Sequence, residues 1–177
     1  MKTIGLLLVV LVSCTNDPKL VQDFVSDKEQ AIEQIKEAEL VHTENGKIKV
    51  RILADKIERF QKQQPGLIFS EKIEVYFYNY SSELQSTLMA NDASIDDDTK
   101  IMLAQNNVVL TSSDDKKLET EELVWDEKQE KIYTDKKVKI TTGKEVIYGE
   151  GFMSNPDFSQ YSITKIHGTF DFETETN

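Results

Sequence analysis

The chain has little with which to do covalent or metal chemistry. Its only cysteine is Cys14, so no internal disulfide and no cysteine cage for a metal can form. Histidine occurs twice, at His42 and His167, far apart and in strand-like surroundings. No serine sits in a G-x-S-x-G elbow, and the seven glycines build no phosphate-cradling loop. Basic residues are outnumbered, 21 against 32 acidic ones, for a formal net charge of -11. A nucleic-acid partner needs clustered Lys and Arg, so none is expected. The same charge argues against docking on an anionic surface by attraction, and it suits the solubility of an exported domain. Nor is there an apolar run near the ~20 residues that a membrane-spanning helix needs.

What the chain does have begins at its first residues. Lys2 precedes an apolar stretch from Ile4 to Val12, followed by Ser13 and Cys14. A basic residue, a short apolar run and a small residue make a secretory signal pattern. Leu11-Val12-Ser13-Cys14 resembles the bacterial lipobox, in which the thiol receives a diacylglyceryl group and the chain is cut just before it. Cys14 is therefore the expected lipidation site and residues 1–13 the expected signal peptide. The plainer alternative is an ordinary signal peptide with an incidental cysteine. Residues 14–37 read as a tether. Within it Leu20, Val21, Phe24, Ile32 and Ile35 recur loosely at helical spacing, which suggests a helix over 20–37 or an extended segment.

From about Ala38 the period changes to two. Lys47-Ile48-Lys49-Val50-Arg51-Ile52 alternates charge with β-branched residues, as a half-buried strand must. Asn45-Gly46 before it is a hairpin signal, because both residues accept positive φ. Ile73, Val75 and Phe77 share one face of the next run, and Tyr76, Tyr78 and Tyr80 the other. Similar runs continue to Ile140, separated by polar clusters such as Asp96-Asp97-Asp98 and Asn155-Pro156. The pattern predicts an all-β sandwich, roll or barrel over residues 38–172, with a polar tail at 173–177. The runs also echo one another. Ile52-Leu53-Ala54-Asp55, Leu88-Met89-Ala90-Asn91, Leu118 to Leu123 and Val146 to Gly151 follow at intervals of roughly 30 to 36 positions, the range of stacked supersecondary units.

Acidic residues are abundant, but none forms a recognisable site. Asp96-Asp97-Asp98 lacks the alternate ligands and terminal Glu of a calcium loop and reads as a solvated turn. No two carboxylates are marked as a facing acid–base pair. No catalytic residue, metal or cofactor is expected.

Three fragments carry a resemblance. Leu118-Glu119-Thr120-Glu121-Glu122-Leu123-Val124-Trp125-Asp126 is followed by Lys131-Ile132-Tyr133-Thr134-Asp135 and Val138, then by Ile147-Tyr148-Gly149-Glu150-Gly151-Phe152. In this order and spacing they resemble the LptC family, the periplasmic component of lipopolysaccharide export. The resemblance runs from about Ile48 to Phe170. It implies an OstA/LptA-like β-jellyroll of consecutive antiparallel strands, open at both ends. It also implies three partners: lipopolysaccharide acyl chains, an inner-membrane ABC transporter that delivers the lipid, and an LptA-like bridge protein that receives it through a sheet edge. Better-known members are anchored by a transmembrane helix. Here Cys14 would take that role at the periplasmic face, with the inner membrane favoured and the outer one left open.

The alternation assigns an inward face. Ile52, Ile73, Val75, Phe77, Leu103, Val108, Leu110, Leu123, Trp125, Ile132, Val138 and Ile140 form the expected lipid-binding groove. Alternation looks the same for a groove and for a sealed core, so a non-transport envelope scaffold with protein partners only stays open beside the transport reading.

Overall fold

The computed structural model describes residues 31–61, 63–143 and 145–167. Ten antiparallel strands form one sheet: β1 (Glu33–Glu44), β2 (Lys47–Arg59), β3 (Leu67–Tyr78), β4 (Leu84–Ala90), β5 (Asp92–Asp96), β6 (Ile101–Ser112), β7 (Lys117–Asp126), β8 (Lys131–Thr141), β9 (Val146–Ser154) and β10 (Tyr161–His167). The order is β1-β2-β3-β4-β6-β7-β8-β9-β10, with β5 pairing β3 and β6. Almost every connection is therefore a hairpin between neighbours, as the polar clusters predicted. The Asn45-Gly46 turn has φ of 51° and 75°, both in the left-handed region a tight hairpin requires.

A crease crosses the whole sheet and turns it into a jellyroll. Glu37 on β1, Glu71 on β3, Asn106 and Asn107 on β6, and Gly151 on β9 all take positive φ in mid-strand. Registers break at the same level, between Ala54 and Lys56, Gln105 and Val108, Thr120 and Val124, and Thr134 and Lys137. β4 and β5 are one strand interrupted at Asn91, whose N–H donates to the Asn106 carbonyl at 3.0 Å. Bulges bend a strand and increase its twist. A row of them folds one sheet over so that its two halves face each other. The crease also explains the sequence echo. Asp55, Asn91, Glu121 and Gly151 each lie where a strand crosses it.

Folding the sheet over encloses one apolar core. Phe69, Ile73, Val75, Leu110, Leu118, Leu123, Ile132 and Ile140 are fully buried, contributed by β3, β6, β7 and β8. Phe77 on β3 meets Trp125 on β7 edge to face across this interior.

Of the two alternatives for the N-terminal stretch, the helical one needs correction and the extended one holds for residues 33–37. Residues 33–37 are the start of β1, not the end of a helix, with Gln34 opposite Glu58 and Ile35 opposite Ile57. The helical spacing of Ile32 and Ile35 mimicked a buried stripe, yet both side chains are exposed. Cross-strand pairing with β2 overrides the weak local period. The rest of that stretch, 20–30, lies outside the described residues, as do Cys14, the signal segment and the polar tail. Among the described residues no helix is long and apolar enough to cross a membrane.

Candidate functional site

The inward face is nearly the one the alternation assigned. Ile52, Ile73, Val75, Phe77, Val108, Leu110, Leu123, Trp125, Ile132, Val138 and Ile140 are all buried. Leu103 is the exception. Its neighbours Met102 and Ala104 are buried instead. Directly opposite residues in a sheet share a face. Met102 pairs with inward Trp125 and Ala104 with inward Leu123, so Leu103 pairs with Val124 on the outer side. Val108 and Leu110 already set an even-numbered inward parity on β6, and extending it would have found Met102.

Other inward residues fall outside a single alternation. Leu118 is buried at an even position of β7 and Leu123 at an odd one, because the crease between them shifts the alternation. Phe158 lies in the loop after β9, with φ of 56°, yet is fully buried. It packs edge-on to Phe152, ring centroids 5.4 Å apart, and against Tyr161 at 5.3 Å. The buried Ser86 hydroxyl on β4 donates to the Pro156 carbonyl in the same loop. The β9–β10 loop is thus pinned over one end of the interior by an aromatic plug and a buried hydrogen bond.

Beside that plug the interior has a mouth. One cavity of about 190 Å³ is lined by His42, Glu44, Lys49, Val50, Phe77, Tyr78, Trp125, Glu127, Glu130 and Pro156. A second, of about 180 Å³, is lined by Leu40, Val41, Ile52, Leu67, Ile95, Met102 and again by His42, Val50, Trp125 and Glu127. Apolar side chains form the floor and charged ones the rim, with Asp97 and Lys100 beside the second cavity. His42 Nε2 stands 3.2 Å from Glu127 Oε1. Lys49 is held aside, its ammonium 3.7 Å from the Tyr80 ring centroid.

Shifted titrations belong to ion pairs and turns on the outer face. Lys72, and then Tyr76, hold the Glu74 carboxyl below its usual range. Lys117, and then Lys139, do the same for Glu119. Asp96 is lowered chiefly by the Thr99 backbone N–H. Its Oδ1 accepts from the N–H groups of Asp98 and Thr99, both at 2.9 Å, so this carboxylate closes its own turn. The interior is predominantly apolar, and charged side chains stand at its mouth.

A protein-family model described as lipopolysaccharide-assembly, LptC-related matches residues 3–165. The chain belongs to the LptC family. No curated protein matches it in sequence. LptC membership gives the chain a role in lipopolysaccharide transport and an envelope-associated, periplasmic setting. LptC proteins are transport components, not a family of enzymes. The all-β jellyroll is the fold expected of an LptC domain.

Proposed function

We propose that this LptC-family chain is a bridge component that accepts lipopolysaccharide from an inner-membrane ABC transporter and passes it to the next β-jellyroll protein. The observation that carries the proposal is the interior itself. β2 through β9 each direct apolar side chains into one enclosed space with a mouth at one end. Carrying a multi-acyl lipid through water requires covering its chains, at roughly 0.8 kcal/mol for each CH₂ kept from water. Ile52, Ile73, Val75, Phe77, Val108, Leu110, Leu123, Trp125, Ile132, Val138 and Ile140 are the proposed acyl-contacting residues, with Met102 in place of Leu103. β1 and β10 end the strand order and each leaves one edge unpaired among the described residues. Such edges accept a strand from a transporter subunit on one side and from an LptA-like protein on the other. Lipid on Cys14 holds the domain at the periplasmic face of the inner membrane, since two or more acyl chains anchor stably without a helix.

Photocrosslinking from Phe77 or Val108 in living cells is the test. The expected result is a lipopolysaccharide adduct at both positions, with none from outward Tyr76. Inner probes that trap no lipid overturn the transport reading. For the anchor, Cys14→Ser leaves an uncleaved precursor. A processed, soluble domain that still supports export would show the lipid to be dispensable.

The scaffold reading is favoured by one observation. Ile73, Val75, Leu110 and Ile140 have no exposed surface, so the deep interior is filled by its own side chains. For transport the two halves of the sheet must therefore separate. A pulldown in mild detergent distinguishes the two: transporter subunits accompany a bridge, whereas a scaffold retains other envelope proteins only.

A further inference from the structure

His42 and Glu127 belong to parts of the sheet that are far apart in strand order. His42 is on the edge strand β1, and Glu127 follows β7. Their 3.2 Å contact therefore spans the mouth instead of joining neighbouring strands. The two mouth cavities share four lining residues: His42, Val50, Trp125 and Glu127. Val50 and Trp125 form the shared floor. The part-exposed His42–Glu127 contact is the other element common to both linings.

Both sides of this contact are built to move a little without unfolding the sheet. The β1–β2 register slips between His42 and Thr43, so His42 sits at an irregularity on an edge strand. On the other side the turn is held independently of the Glu127 carboxylate. Asp126 Oδ1 accepts from the Gln129 N–H at 2.9 Å and its Oδ2 from the Gln129 side chain at 2.8 Å. The Glu127 N–H donates to the Lys100 carbonyl at 3.3 Å. The Glu127 side chain can swing while its backbone stays fixed. The two side chains are 54% and 31% exposed, so water competes for the contact and it opens readily.

We propose that the His42–Glu127 contact is a gate at the mouth of the interior. Closed, it divides the mouth into two short cavities. Open, it joins them over Val50 and Trp125 into one apolar slot, through which a single acyl chain enters between the two halves of the sheet. The proposal rests on the lipid-carrying reading above and adds where a chain enters and what governs its entrance.

Trp125 makes the gate directly observable. It is the only tryptophan in the chain, is 9% exposed and lines both cavities. A bromine atom quenches an indole only on close approach. The full chain is reconstituted in synthetic-lipid vesicles, and 9,10-dibromostearate is added while Trp125 fluorescence is followed. Wild type is compared with His42→Ala, Glu127→Ala and the exchanged pair His42→Glu/Glu127→His. Both alanine variants are expected to quench about threefold faster, the scale a half-exposed pair can hold closed, and the exchanged pair to return to the wild-type rate. Equal rates in all four proteins overturn the gate, as does an exchanged pair as fast as the alanine variants. Absence of quenching in every protein also overturns it, because no chain then reaches this mouth. These failures are separate from failure of the transport reading, which shows as lost lipopolysaccharide crosslinking at Phe77 and Val108. Far-UV circular dichroism and unchanged crosslinking at Val108 establish that the variants remain folded.

Discussion

Phe77 and Trp125 meet edge to face, with ring centroids 5.2 Å apart and planes at 82°, joining β3 to β7 across the interior. Neither strand neighbours the other in the sheet. The contact therefore belongs to the folding-over of the sheet and not to its hydrogen-bond ladder. It also lies at the mouth, since both rings line the cavity beside Pro156.

Phe77→Ala removes a side chain that is 4% exposed, and the expected loss of stability is about 3–5 kcal/mol. Part of that loss is specific to the ring pair. A double-mutant cycle with Trp125→Leu, followed by circular dichroism in urea, is expected to give a coupling of roughly 0.5–1.5 kcal/mol. Additivity of the two changes would mean that the rings merely occupy the same core without a mutual preference.

The crease makes a prediction at Asn107. Its φ of 56° follows the 64° of Asn106, two successive left-handed residues in mid-strand. Valine in that conformation costs roughly 1–2 kcal/mol, whereas glycine has no side chain to strain. Asn107→Val should therefore unfold at lower denaturant than wild type, and Asn107→Gly at about the same concentration or higher. Equal stability of the two variants would remove backbone conformation as the reason for asparagine here. Asn106 is a poorer choice for this test, because its side-chain amide also donates to Asp92 at 2.7 Å.

The crease also marks how far the sequence could be read. Strands, hairpins and nearly all of the inward face follow from alternation, since the side-chain period of two and burial on one face constrain each other. The echo through Asp55, Asn91 and Glu121 was visible as a repeat, but not as a fold line. Bulges are defined by what stands opposite on the next strand, and one strand's residues do not contain that information. Leu103 was misplaced for the same reason: hydrophobicity favoured it, and only pairing with Val124 turns it outward. Phe158 was missed because a phenylalanine in a polar loop carries no period at all. The mouth was invisible because His42 and Glu127 are brought together only when the sheet folds over.

Glu119 on β7 bridges Lys117 on its own strand and Lys139 on β8, at 3.0 Å to each. Those two ammonium groups depress its folded pKa, Lys117 most. A depressed carboxylate contributes stability above its unfolded value, near 4.5, and that contribution is lost as pH falls through the lower folded value. The melting temperature should accordingly decline below pH 4.5, and Glu119→Gln should flatten that part of the profile while leaving its shape from pH 6 to 8 intact. The effect is small, because the carboxylate is a third exposed and salt screens it. An unchanged acid limb in Glu119→Gln would assign the decline to other carboxylates, of which Glu74 beside Lys72 is the next to test.

At the C-terminal edge, Gly149 fixes how closely β10 lies on β9. A Cβ there would stand 2.3 Å from Ile163 Cγ2 and 2.8 Å from the Lys165 carbonyl oxygen. The first clash could be relieved by a rotamer change, but the second is with backbone, so the strand itself must shift. Gly149→Ala is expected to lift β10 locally while the core under β3, β6, β7 and β8 stays packed. Overpacking of this kind costs about 1–3 kcal/mol, which corresponds to roughly 5- to 150-fold acceleration of amide exchange on β10. Hydrogen exchange resolved by residue would show the change confined to 161–167. Adding Ile163→Ala should recover only part of the protection, because the Lys165 carbonyl still meets the new methyl group. If β10 is the strand that receives the next bridge protein, Gly149→Ala also weakens that association without altering crosslinking of lipid at Val108. Unchanged exchange on β10 would show that the edge tolerates a side chain at 149 and that the glycine is not needed for the close approach.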